Sequence, residues 1–170
     1  MSEILAAIQN LNISTGNPNA GTSMLTPIDS STITVSVANW NQATPAELSA
    51  ITDGNSETAS TWGQIQGGGN SGWFQFDLGN GDRRYTEVKI GIRMAPGHEG
   101  GNTEPFVMVS DDNVVFMPIV QTRITPTGTE RILTIPFWFT SRYLRVGVLD
   151  NGGGQPQLKV YDLKAWKLTI

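Results

Sequence analysis

From residue 32 onward, apolar side chains recur at every second position in one short run after another. Ile33, Val35 and Val37 alternate with Thr34 and Ser36, Phe74, Phe76 and Leu78 with Gln75 and Asp77, and Val88, Ile90 and Ile92 with Lys89 and Arg93. A period of two sends alternate side chains to opposite faces, so each run reads as a strand with one face buried. Further runs at 106–110, 114–120, 131–139, 142–149 and 158–168 bring the prediction to about eight strands. No stretch of roughly 10–15 residues with helical period separates them, so parallel crossovers have nothing to run through and the strands pair antiparallel. Two sheets packed face to face bury the apolar sets of both.

Two short segments depart from this pattern. At Thr44-Pro45-Ala46-Glu47 a capping Thr, a Pro at the first helical position and a Glu closing the box predict a short helix, ended by Gly54. At the N-terminus Ile4, Ile8 and Leu11 share one helical stripe. About two turns of helix are marginal in isolation, so this stripe frays, packs on the domain, or packs on copies of itself. Residues 12–31, rich in Ser, Thr, Asn, Gly and Pro, read as an extended arm. The predicted division is therefore an N-terminal helix and polar arm at 1–31 and a β-sandwich domain at 32–170.

Composition narrows the chemistry. A chain of 170 residues suits one core. Only 15% of residues are charged, so solubility rests on neutral polar groups, and 19 Gly and 9 Pro supply turns. A net charge of −4 leaves no basic stripe for nucleic acid. With no Cys and the single His98, thiolate and multi-histidine metal sites are excluded. No apolar run reaches the roughly 18–20 residues that span a bilayer, so membrane insertion is not expected. The N-terminus lacks a basic region before an apolar one and does not read as a secretory signal, and localisation stays open.

The turn Asp53-Gly54-Asn55-Ser56-Glu57-Thr58 gathers oxygen-bearing side chains around a Gly. It reads either as an Asx turn or as a loop wrapped around a hard cation such as calcium, which takes about 6–8 oxygen ligands. Gly-rich loops at 66–72, 95–102 and 150–155 lack the Lys-Ser/Thr pair and the following helix of a phosphate loop. If they converge at one end of the sandwich, Arg93, His98, Glu99 and Asn102 offer donors and acceptors to sugar hydroxyls, with Trp62 as the adjacent aromatic. The remaining tryptophans, Trp40, Trp73, Trp138 and Trp166, are expected to be buried. Ser110 lacks the Gly-x-Ser-x-Gly elbow, and no paired carboxylates stand out, so no catalytic residue is predicted.

Four motifs together resemble the discoidin-like, coagulation-factor type C family of galactose-binding jelly rolls: Ile51-Thr52-Asp53-Gly54-Asn55 to Trp62, Gly72-Trp73-Phe74-Gln75-Phe76-Asp77-Leu78-Gly79, Phe106-Val107-Met108-Val109-Ser110-Asp111-Asp112, and Ser141-Arg142-Tyr143-Leu144-Arg145-Val146. The resemblance covers roughly residues 32–168. It implies an all-β, eight-stranded antiparallel jelly-roll sandwich that binds glycans, lipids or proteins through loops at one end, without catalysis. It also implies a structural calcium held by Asp53, Asn55, Thr58 and Asp162. The expected function is a non-catalytic carbohydrate-binding module, with a glycan or a surface protein as partner. The alternative is an assembly protein of a virion, tail fibre or cell surface that forms a homo-oligomer through the N-terminal arm.

Overall fold

The computed structural model describes residues 24–29, 32–38, 49–55, 57–60, 62–64, 71–79, 83–98, 102–121, 123–150 and 155–169. They form ten strands: β1 (Met24–Pro27), β2 (Thr34–Ala38), β3 (Gly63–Gln64), β4 (Ser71–Asp77), β5 (Arg84–Met94), β6 (Thr103–Ser110), β7 (Met117–Gln121), β8 (Arg131–Phe139), β9 (Tyr143–Asp150) and β10 (Pro156–Thr169). One sheet has the order β1-β10-β5-β8, with β3 also paired to β10; the other has the order β2-β4-β9-β6-β7. All pairings are antiparallel. The first is called sheet A below and the second sheet B.

The eight expected strands are all present, and two short edge pieces add to them. β1 lies inside the segment read as a free arm: Met24–Pro27 pairs with Trp166–Thr169 at the end of β10. The tetrapeptide Met-Leu-Thr-Pro, which has no alternation of its own, gains strand structure there because β10 offers unpaired backbone groups along that edge. Residues 1–23 and 41–48, which carry the N-terminal stripe and the capped helix, lie outside the described residues, although Ser49 and Ala50 have helical backbone. Among the described residues no helix is long and apolar enough to cross a membrane.

The core lies between the sheets, where period-two alternation delivers it. Val88, Ile90 and Ile92 of β5, Phe137 and Phe139 of β8, and Leu158, Val160, Leu163 and Ala165 of β10 face Phe74 and Phe76 of β4, Val107 and Val109 of β6, and Leu144, Val146 and Val148 of β9. Alternation in β10 changes phase where its register against β5 shifts between Val160 and Asp162. Val160 and Leu163, three apart, both point inward across this bulge.

Register also fixes the two ends of the sandwich. Ser71 lies opposite Leu149, Thr103 opposite Asp150, Pro156 opposite Met94 and Gln157 opposite Gln64. The strand ends that flank the loops β3–β4, β5–β6 and β9–β10 therefore meet at one rim, and these loops contain the three Gly-rich stretches. At the opposite end the buried Arg84 donates from Nη1 to Ser141 O and from Nη2 to Gly79 O, both at 2.9 Å. Beside it Arg142 grips Asp77 in a fork, Nε to Oδ1 at 2.9 Å and Nη2 to Oδ2 at 2.7 Å.

Two predictions follow from this packing. Gly147 of β9 has no room for a side chain, since a Cβ there would meet Gly72 O and the Phe106 ring. Overpacking of this kind typically costs about 1–3 kcal/mol, so Gly147→Ala should lower the unfolding free energy by that order in a urea titration without abolishing the β-type circular dichroism spectrum. The Arg142 hydrogen bond holds the Asp77 carboxyl below its ordinary pKa of 3.8. A depressed carboxylate contributes stability that is complete above the unfolded-state value and fades as pH falls through the folded-state value. Arg142→Gln should thus be less stable than the natural chain at pH 7, with the difference shrinking below about pH 4 in acid-denaturation curves.

Candidate functional site at the loop rim and the β10 edge

The rim is built by the last residues of β5 and the first of β10, with β3 alongside. Ala95-Pro96-Gly97-His98 turns the chain sharply after β5: His98 N donates to Ala95 O at 3.0 Å and Gly97 sits at φ 82°. Pro second and Gly third in such a turn fit its type II geometry, which needs a positive φ at the third position. This places His98, half-buried, directly beyond Arg93 and Met94.

Arg93 is the centre of the rim. Its Nε donates to Gln157 Oε1 at 2.7 Å, and its guanidinium lies 4.2 Å from the centre of the Trp62 ring. Lys159, two residues along β10 from Gln157, places its Nζ 4.7 Å from the same indole and 4.4 Å from the Tyr161 ring. Glu130 completes the group by accepting from Tyr161 Oη at 2.6 Å and pairing with Lys159 Nζ at 3.2 Å. Burial works against the Lys159 charge, but its bonds to Tyr161 and Glu130 outweigh this and raise its pKa above the ordinary 10.5. Burial, with help from Glu130, likewise pushes up the Tyr161 hydroxyl. Tyr161 is therefore a neutral donor and Lys159 a full cation at neutral pH. The cluster offers a half-buried indole floor, two cations, one amide and one carboxylate.

The residues nominated from sequence are distributed unevenly around this cluster. Arg93 and Trp62 are in direct contact. Asn102 stands at the start of β6 and uses its side-chain oxygen to accept from Thr125 Oγ1 at 3.1 Å. Glu99 lies outside the described residues, and His98 is half-buried at the end of the turn after β5. Sequence reasoning missed Gln157, Lys159, Tyr161 and Glu130, because strand pairing and side-chain reach bring them to Arg93 and Trp62 from separate parts of the chain.

A second oxygen-rich group lies at the β10 edge, between β3 and β1. Here the 51–60 segment takes the place of a paired strand: Ser60 N donates to Val160 O and Leu163 N donates to Ile51 O. Asp53 Oδ1 accepts from Asn55 N at 2.7 Å, the Asx turn expected from sequence, with Gly54 at φ 76°. The Thr58 hydroxyl lies 2.8 Å from Asp53 Oδ2, 2.7 Å from Asn55 O and 3.4 Å from Ala50 O. One hydroxyl hydrogen cannot serve three acceptors. Asp162, delivered from the β10 bulge, is buried and neither of its oxygens accepts a hydrogen bond; Lys164 Nζ stands 3.7 Å from Oδ2. Burial, reinforced by the charge of Asp53, pushes the Asp162 carboxyl up against the pull of Lys164. Excess oxygens beside a buried carboxylate that accepts no hydrogen bond match the donor chemistry of a hard cation. Among the described residues no set of three or more His, Cys, Asp or Glu side chains gathers to hold a metal, so such a site would draw on carbonyl and hydroxyl oxygens as well.

No family model matches the chain, and no curated protein matches it by sequence. Solved structures match its fold. A family 32 carbohydrate-binding module, CBM32-1 from a family 31 glycoside hydrolase of Clostridium perfringens, is 18% identical with a TM-score of 0.50 over 82% of this chain and 97% of its own. CBM32-3 from a family 31 glycoside hydrolase of that organism is 14% identical with a TM-score of 0.49, covering 83% and 94%. CpGH89CBM32-5, also from Clostridium perfringens and solved with GalNAc-β-1,3-galactose, is 15% identical with a TM-score of 0.48, covering 82% and 99%. The fold is thus the jelly-roll β-sandwich that CBM32-1 shares.

Proposed function

We propose that this jelly roll is a non-catalytic carbohydrate-binding module that takes its glycan on the loop rim, against Arg93 and Trp62. The observation that carries this reading is the Arg93–Trp62 contact, at 4.2 Å, at the end where three Gly-rich loops leave the strands. Arg93, Lys159, Gln157 and Glu130 supply charge-assisted donors and acceptors for sugar hydroxyls, and the indole supplies an apolar floor. The fold shared with CBM32-1, a carbohydrate-binding module by its description, supports the same choice of ligand. Glycoside hydrolysis uses two carboxylates flanking the bond. In the described part of the rim cluster Glu130 has no carboxylate partner and is held by Tyr161 and Lys159. Of residues 1–31, on which an assembly role would rest, 24–29 are described, with Met24–Pro27 paired to β10, and the others lie outside the described residues.

Hydrogen bonds to charged groups contribute roughly 1.5–3 kcal/mol, so Arg93→Ala should weaken binding by about 10–100-fold. Calorimetric titration with galactose, N-acetylgalactosamine and a glycan array is the test. Binding that Arg93→Ala and Trp62→Ala both weaken supports the reading, whereas no heat with any sugar, or binding indifferent to both changes, overturns it.

The same reading includes a structural calcium at the β10 edge, held by Asp53, Asn55, Thr58 and Asp162. Its role is to neutralise the buried Asp162 and tie the 51–58 loop to the strand. A ligand that binds only the folded state stabilises it by about 2.7 kcal/mol when present at 100 times its Kd. Calcium should therefore raise the melting temperature above that in chelator, and Asp162→Asn should remove the increment while stabilising the calcium-free protein. Equal melting temperatures with calcium and with chelator would remove the ion from the account.

A further inference from the structure

The rim is one end of a longer surface. On the outward side of sheet A, β5 presents Tyr85, Glu87, Lys89, Gly91 and Arg93 in order, while its core residues alternate with them. Eight residues separate Tyr85 from Arg93, a run of about 26 Å at the usual strand rise. At the end remote from the rim, Trp138 of β8 and Trp166 of β10 flank Tyr85 in register. Their ring centres stand 5.1 Å and 5.5 Å from that of Tyr85. Tyr85 itself is buried beneath them and donates its hydroxyl to Glu87 at 2.9 Å. Trp138, against expectation, is 41% exposed, and the exposed Arg83 places its guanidinium 5.3 Å from the indole.

Charge on this face runs opposite to charge on the chain. Among the described residues at outward positions of sheet A, five cations, Arg83, Lys89, Arg93, Lys159 and Lys164, stand against three carboxylates, Glu87, Glu130 and the buried Asp162 that pairs with Lys164. The whole chain carries −4. The face is thus a positive strip with an aromatic cluster at each end, Trp62 with Tyr161 at one and Trp138 with Tyr85 and Trp166 at the other. Cations spaced among rings complement an anionic polymer whose charged units also present apolar C–H faces to aromatic side chains. A nucleic acid, whose counterpart is a continuous basic stripe, fits less well.

We propose that this face binds an acidic polysaccharide lying along β5, its sugar rings against the two aromatic clusters and its carboxylate or sulfate groups against the lysines and arginines between them. The proposal rests on the rim as a sugar site and adds two things to it: the charge of the ligand, and a remote contact at Trp138.

The full chain is titrated, by calorimetry and affinity electrophoresis at two salt concentrations, with polygalacturonate, its methyl-esterified form, dextran sulfate, dextran and duplex DNA. The proposal expects tighter binding of polygalacturonate, dextran sulfate or both than of their neutral counterparts, weakened by salt. Binding of polygalacturonate alone identifies carboxylate as the recognised group, and of dextran sulfate alone sulfate. Trp138→Ala and the charge reversal Arg83→Glu should each lower polymer affinity at least fivefold while a monosaccharide bound at the rim keeps its affinity. Arg83 is exposed and makes no core contact, so its variant keeps the test available should Trp138→Ala fail to fold. Neutral and acidic polymers bound alike, acidic binding unmoved by both variants, or DNA bound as tightly as the acidic polysaccharide would each overturn the proposal while leaving the rim reading intact. Failure of every sugar, monomeric or polymeric, would remove both together.

Discussion

Strand β10 is hydrogen-bonded along both edges, and the rest of the molecule is arranged by what it pairs with. On one side it meets the whole of β5. On the other it meets β3, Ser60, Ile51, Ile28 and β1 in turn. A strand of 14 residues needs partners along its whole length, because each buried N–H and C=O left unpaired costs about as much as a lost hydrogen bond. Four short pieces from three parts of the chain are drawn to this edge. The bulge after Val160 then gives the strand two outputs that a regular strand would lack. Regular alternation would have carried Asp162 into the core and turned Leu163 outward. With the bulge, Leu163 stays in the core, Tyr161 remains on the outer face beside Glu130, and Asp162 lies next to Asp53.

The two ends of the sandwich differ for a physical reason. The end beside Arg84 is closed: a buried guanidinium satisfies carbonyls from two loops, and the Arg142–Asp77 fork ties β4 to the turn before β9. Little is left there for a ligand to exchange. At the rim, side chains such as Arg93 and Lys159 use aromatic faces and neutral amides as partners, and Glu130 is the charged partner of Lys159 alone. Groups stacked on a ring keep unused donors, which is the condition for recognising a polyhydroxylated surface without first breaking strong ion pairs.

The sandwich was legible because its information is local. Alternation at 74–78, 88–93 and 142–149 names both the strand and its buried face without reference to the partner strand. β1 and β3 escaped detection because they are strands by virtue of β10's open edge, and Met24–Pro27 carries no alternation of its own. The oxygen-rich turn could be read from Asp53-Gly54-Asn55, whereas the remainder of the rim could not. Glu130, Lys159 and Tyr161 carry no motif, and Glu130 reaches Lys159 only because Gly91 leaves open the space that a Cβ would share with the Glu130 carboxyl. One signal was present and unused: in Leu158, Val160, Leu163 and Ala165 the apolar spacing slips from two to three, which announces the bulge.

The outer faces of the two sheets differ in how open their clusters of cations and aromatics are. Sheet B also carries an arginine among aromatics, since Arg145 lies 3.4 Å from the centre of the Phe116 ring and 4.5 Å from that of Trp73. There, however, the arrangement is capped: Phe116 comes over Arg145 from the β6–β7 hairpin, Phe106 is buried across Gly147, and burial lowers the Arg145 pKa below its ordinary value. That hairpin is itself fixed, with Asp112 Oδ1 accepting from Ser110 Oγ, Val114 N and Val115 N at 2.8–2.9 Å. A ligand at Arg145 would have to lift Phe116 away. On sheet A Trp138 is 41% exposed, and the residue over its ring is the exposed Arg83, whose guanidinium stands 5.3 Å from the ring centre. Asp53, Glu57, Asp111 and Asp112 lie on loops rather than on its strands, so the cations of sheet A outnumber the carboxylates interspersed among them.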